Sequence, residues 1–292
     1  MASSSSAGAV SLGIERLLKR LGEQGIAWLL VLPAMVFIAL VFVVPLARIG
    51  WISVSEPSLS LGNFRHLFSE ELYYRVLGRT FAVALAVTTA CLVIAYPIAY
   101  YAATRRGWLG KALLLAAVLS FWLSFLVRTY AWLVILGNRG PLIGFLEGIG
   151  VQSPRILFTT TATVIGMIHI LLPFMVLALY AVMAKIDSNY PRAALSLGAS
   201  PTRAFWMVYF PLSLPGVVNG CMLVFIFCLG FYVTPALLGG PRDLLIAGLI
   251  AFEIQEVLDW GIASAMAVVL LAVTASVLTL YDRLVGLDRL WG

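Results

Sequence analysis

Charge is scarce in this sequence. Only 11% of its 292 residues are Asp, Glu, Lys or Arg, against 62% hydrophobic ones, and the mean hydropathy is +1.03. Soluble domains average about 25% charged residues, so an ordinary water-soluble domain is excluded. Catalytic and metal-binding residue types are equally thin. The two histidines, His66 and His169, are unrelated in sequence, and the three cysteines, Cys91, Cys221 and Cys228, all lie in apolar runs without metal spacing. Lys111 follows Gly110, but Ala112 comes next and Arg105 stands where the first glycine of a Walker A loop belongs, so the chain carries no phosphate loop. No catalytic site and no metal site is expected.

What is there is a set of long apolar runs. Six transmembrane helices are predicted at 26–50, 80–103, 112–136, 158–183, 212–237 and 262–282, each with the roughly 20 apolar residues that cross a hydrocarbon core. The fold class is therefore an all-α polytopic membrane protein. No acidic residue falls in the interior of a run and no inverted repeat is visible, which argues against a proton- or sodium-coupled carrier or a channel. A pore moved by a separate motor fits better. The Ser/Ala-rich start lacks the apolar core of a cleavable signal. Leu12, Leu17, Leu18 and Leu21, with Arg16, Lys19 and Arg20, are expected to form a short surface helix in an N-terminal tail, 1–25.

Basic residues set the orientation. The tail, the link holding Arg105, Arg106 and Lys111, the segment holding Lys185, Arg192 and Arg203, and the C-terminal Arg283 and Arg289 fall on one side. The other side has Arg65, Arg75, Arg79, Arg139, Arg155 and Arg242 against eight acids, Glu56, Glu70, Glu71, Glu147, Asp243, Glu253, Glu256 and Asp259. The positive-inside rule makes both termini cytoplasmic, and the net charge of +6 is read as orientation and not as a nucleic-acid surface. The segment 238–261 is too short in apolar residues to span and is expected as an outer-face or re-entrant helix.

The polar stretch 186–216 interrupts this pattern between two spans. Its chemistry predicts two short helices around a hinge. Ser188 or Asn189 N-caps the first, with Pro191 in its first turn; Gly198 closes it, Ser200 caps again, and Pro201 starts a second helix toward Tyr209. Pro211 and Pro215 mark re-entry into the bilayer. A docking element is the expectation.

Ala193-Ala194, three residues, Gly198, nine residues, then Val208 and Pro211 resemble the EAA loop of ABC importer permeases. Two positions depart from that pattern: Arg192 replaces its glutamate, and Phe210-Pro211 replaces Leu-Pro. The reversed charge bears on any ion pair with an ATPase, not on the helix–glycine–helix shape. The resemblance implies a type I ABC importer permease fold in the bacterial inner membrane, spanning 26–292, with a coupling loop at 187–210. Within it Arg192, Ala193, Ala194, Gly198, Ala199, Ser200 and Pro201 would meet an ABC ATPase dimer. It also implies a second, sister permease and a periplasmic substrate-binding protein, with ATP and Mg held by the ATPase and no cofactor on this chain. An assembly protein that does not transport would need only the docking loop.

Candidate pathway residues are fewer. Arg128 sits within the third span, where a bare charge is expensive, so it either anchors helices or lines the path with Thr129, Tyr130 and Trp132. Tyr130 points away from the face that positions 128 and 132 share. His169 falls mid-span, open to the same two roles, and Trp122, Phe231 and Tyr232 offer aromatic faces for an ammonium group. The segments 121–142, 168–187 and 232–248 are similar to permeases of spermidine/putrescine-type importers. That likeness implies a polyamine solute, or else another small amine, opine or amino-acid-like solute.

Overall fold

The computed structural model describes residue 28 and residues 31–105, 107–150, 155–241 and 243–285. The proposed surface helix at 12–21 lies outside them. Helix α1, Val31–Ser55, is long and apolar, with a wide turn at Ala39–Val43. Its first two-thirds are exposed throughout, and its second half packs on the last helix. The short α2, Gly62–Ser69, leads into α3, Glu71–Thr104. At 34 residues α3 is about 50 Å long, so it begins well before the predicted position 80. Glu71 and Arg75 pair at i, i+4 on its solvated first turns.

The predicted third span, 112–136, is not one helix. Trp108–Trp122, here α4 with its tightened last turn, and α5, Phe125–Ile135, meet at 102°. Leu123 and Ser124 are extended between them. Neither Gly nor Pro marks the break, and both halves are apolar, so hydropathy cannot distinguish it from a straight crossing. A side-chain bond across the bend, described below, accompanies it. Among the described residues five helices suffice individually to cross a membrane, or six spans if the bent pair counts as one.

After α6, Pro141–Gly148, comes α7, Thr160–Met183, whose first turn is capped by the Thr159 hydroxyl accepting from Ala162 N–H. Asp243 accepts from the Thr160 hydroxyl at the same helix start, where a negative charge suits the dipole. Then follow α8, Asn189–Ser196, and α9, Pro201–Leu229. The chain ends in α10, Val233–Leu238, α11, Ile246–Phe252, and α12, Trp260–Val285. The fifth span thus stops at Leu229, short of the expected 237. Between α10 and α12, the described residues of the segment 238–261 form the seven-residue α11, extended by a wide turn at Glu253–Val257 and closed by Leu258 at φ 63°. Its helical stretch, 246–257, is shorter than the roughly 20 residues a crossing helix needs, in line with its composition.

The core is the α3–α7–α9 triad. Ala84, Val87, Cys91, Ala95 and Ala99 make a small-residue stripe along α3, and Met167, Leu171, Met175, Leu179 and Met183 a row at every fourth position of α7. Cys91 and Cys228 are buried here as plain core residues. Gly216 and Gly220 let α9 close on α7: a Cβ at Gly220 would stand 2.6 Å from Met175 Sδ. Small residues four apart are how helices approach each other where lipid offers no hydrophobic drive. Connectivity places α2, α6, α10 and α11 at the face opposite the α8–α9 loop.

Candidate functional site

The loop between α7 and α9 is built by local chemistry. Its first helix starts where the sequence predicts, but not by the expected side-chain bond. Ser188 occupies the cap position without using its side chain, and the Asp187 carboxylate accepts from Asn189 N–H at 2.9 Å instead. The C-terminus is a complete glycine closure. Ala199 N–H donates to Ala194 O and Gly198 N–H to Leu195 O, both at 3.0 Å, with Gly198 at φ 87°. Ser200 then caps α9 by accepting from Arg203 N–H at 3.3 Å, with Pro201 as first helical residue. The wide turn at Phe205–Tyr209 lies just before Pro211, whose missing N–H and bulky ring disfavour a regular α-turn there.

The two helices enclose an open cleft of about 400 Å³ whose lining includes Ala194, Gly198, Ala199 and Met207. Leu197, at 89% exposed, and Tyr190 stand clear of the protein. Arg192 and Ala193 are exposed, and no ion pair involves Arg192 among the described residues. The loop is therefore a preformed, largely solvated surface with apolar knobs, which suits docking and no chemistry.

Its base was not anticipated from sequence. Tyr96 and Tyr100 of α3 meet Phe205 and Tyr209 of α9, with the Tyr100 and Tyr209 rings 4.8 Å apart edge to face. Tyr96 and Ser213 share a 2.9 Å hydrogen bond. The signal was present as two aromatic pairs at i, i+4 on separate helices, but nothing local says that the helices meet.

The pathway candidates separate into two groups. Arg128 is only 8% exposed; its Nη1 donates to Ser120 Oγ at 3.0 Å across the bend, and its Nε finds no partner among the described residues. Thr129 and Thr234 share a buried 3.0 Å hydrogen bond. Trp132 Nε1–H donates to His169 Nδ1 at 2.9 Å, and His169 lies within electrostatic reach of Arg128. Arg128, Trp132 and His169 therefore share one polar patch between α5 and α7. Tyr130, 55% exposed, turns away from it, as its helical position requires, and Trp122 is 84% exposed. Tyr232 lies beside Gly248 of α11 instead. The aromatic contacts that do form run Phe121–Phe174–Phe227, at centroid separations of 4.7 and 5.0 Å.

On the opposite face Glu253 is buried, with the Tyr73 hydroxyl donating to it at 3.4 Å. Burial, reinforced by Asp259, holds its carboxyl above the usual range, while the Tyr73 bond and His66 pull the other way.

The described residues thus form a polytopic helical membrane domain with an exposed helix–glycine–helix loop. Residues 95–286 match the binding-protein-dependent transport system inner membrane component family, and the chain belongs to it. It is 36% identical over 226 residues to the spermidine/putrescine transport system permease protein PotB of Escherichia coli, covering 77% of this chain and 82% of that protein. The Haemophilus influenzae protein of the same name is 34% identical over 227 residues, 77% of this chain and 79% of its own. A bacterial alginate ABC transporter, crystallised with its alginate-bound periplasmic protein, superposes at a TM-score of 0.75 with 16% identity, covering 92% of this chain and 96% of that one. At that identity the likeness is one of fold, type I ABC importer permease. The chain is a multi-pass inner-membrane transport subunit and not an enzyme; hydrolysis belongs to a separate ATPase, and a substrate-binding protein serves the system.

Proposed function

We propose that this chain is one of two different transmembrane subunits of an importer for polyamines of the spermidine/putrescine type. The observation that carries the reading is its identity to the permeases of that name along three-quarters of its length. The helix–Gly198–helix surface, with Arg192, Ala193, Ala194, Ala199, Ser200 and Pro201, is the docking element for the ATPase dimer, which holds ATP and Mg. The charge bias puts that loop and both termini in the cytoplasm. ATP-driven closure of the dimer moves α8, and the α3–α9 aromatic base carries the motion into the bundle. Arg128, Trp132 and His169 lie along the path, with Tyr232 and Tyr130 as outlying members.

Uptake of labelled spermidine and putrescine by cells lacking their own carriers, supplied with this permease, its sister, the ATPase and the binding protein, tests the assignment. Energy-dependent accumulation is expected; its absence, with the complex assembled, overturns the solute. Arg128 favours a second reading, since a buried cation with a free Nε suits a solute that bears a carboxylate beside its amine. Competition by amino-acid-like compounds and not by polyamines would select it.

A further inference from the structure

A cleft of about 640 Å³ opens between α1, α11 and α12 on the face opposite the coupling loop, and none of the residues proposed for docking or for the path lines it. Ile52, Ile250 and Ile254 supply its apolar walls, Trp260 its rim, and Arg48 and Glu56 its only full charges. Depth gives these residues meaning. The sequence carries no charge from Ile26 to Ala47, slightly more than the roughly 20 residues that cross the hydrocarbon core. Arg48 therefore stands at the edge of that core, at the level of lipid phosphates, and Trp260 begins the antiparallel α12 at the same interface, where tryptophan is favoured.

Arg48 is exposed and makes no ion pair or hydrogen bond among the described residues. A guanidinium beside an apolar wall needs an anion from elsewhere, and a phosphate fits its fork. Glu56 lies eight positions further along the chain, about 12 Å outward at helical rise. The order is thus cation inside and anion outside, with long side chains narrowing the gap. An amine-bearing phospholipid has the complementary order, phosphate inside and ammonium outside. An anionic headgroup without an amine would instead face Glu56 unfavourably.

We propose that this cleft is a binding site for phosphatidylethanolamine of the outer leaflet, its phosphate on Arg48, its ammonium toward Glu56 and an acyl chain along Ile52, Ile250 and Ile254. Lipid retention does not depend on which solute is carried, so this site and the polyamine assignment fail separately. The assembled complex, washed extensively in detergent, is assayed for retained phospholipid by mass spectrometry. Wild type should keep phosphatidylethanolamine stoichiometrically. Arg48→Gln and Ile52→Trp, which fills the cleft, should reduce it to background, and Arg48→Lys, which keeps the charge without the fork, should retain an intermediate amount. Equal retention by Arg48→Gln, preference for phosphatidylglycerol, or lipid-free wild type overturns the site. So does cross-linking of an Ile52→Cys variant to the sister permease in place of a maleimide-bearing lipid, which would make the cleft a subunit interface. Should the variants not assemble, the wild-type melting temperature decides: it must be higher in phosphatidylethanolamine nanodiscs than in phosphatidylglycerol ones.

Discussion

The indole N–H of Trp132 donates to Nδ1 of His169 at 2.9 Å, tying the bent half-span α5 to the central helix α7. Nδ1 accepts, so the neutral ring carries its proton on Nε2. Interhelical hydrogen bonds in bilayers average about 0.6 kcal/mol and reach about 1.7. Trp132→Phe should therefore cost about 1 kcal/mol of stability and lower transport, read as a fall in the melting temperature of the purified complex and in uptake. An unchanged melting curve and rate would make the bond incidental.

Arg128 is expected to matter more to transport than to insertion. Insertion scales charge about 2.5–3.5 kcal/mol for an arginine at mid-membrane, so Arg128→Ala should insert at least as well as wild type. Uptake per molecule should fall. Quantifying membrane-inserted protein beside uptake separates the roles: poor accumulation with normal specific transport identifies a structural anchor at the α4–α5 bend.

Gly198 occupies a left-handed conformation, φ 87°, that a β-branched residue strongly resists. Gly198→Val should cost on the order of 1–3 kcal/mol locally and misplace Leu197. The bundle should still fold, since no residue of α8 is in the core. Co-purification of the ATPase should drop sharply, and Gly198→Asn should lose less. A valine variant that binds ATPase and transports normally rules out the docking role.

Arg192 projects from α8 without an ion pair among the described residues. As a contact to an acidic residue or a carbonyl of the ATPase, its reversal in Arg192→Glu should weaken assembly most at low ionic strength, because salt screens such a contact. Complex yield measured across salt concentrations checks this. Indifference at low salt would leave Arg192 merely solvated.

Glu253 binds its proton more tightly when folded than when unfolded, because burial raises its carboxyl above the ordinary range. The native state then holds more protons, so stability falls as pH rises from the unfolded carboxyl value through the raised folded one. Glu253→Gln should remove that slope. Melting temperatures should favour the variant near neutral pH and converge with wild type toward about pH 4. Parallel curves would show that Tyr73 and His66 already compensate the charge.

Membrane class, the count of apolar runs and the helix–glycine–helix shape of the 187–210 loop were legible in the chain alone, because each is a local property. An apolar run of sufficient length must satisfy its backbone as helix. Proline after a capping serine and glycine at a helix end dictate Ser200-Pro201 and Gly198 whatever lies around them. Even there, Ser188 holds the cap position without the expected bond, since Pro191 at the third helical position has no N–H to give, and the Asp187 carboxylate accepts from Asn189 N–H. The bend at Leu123–Ser124, the Arg128–Ser120 bond, the Trp132–His169 pair and the Tyr96–Tyr100–Phe205–Tyr209 base came only with the tertiary structure. Hydropathy is the same for a straight and a broken apolar segment. Which polar or aromatic side chains on different helices face each other depends on how helices rotate as the small-residue stripes of α3 and α9 close on α7, and no local rule in the sequence specifies that rotation.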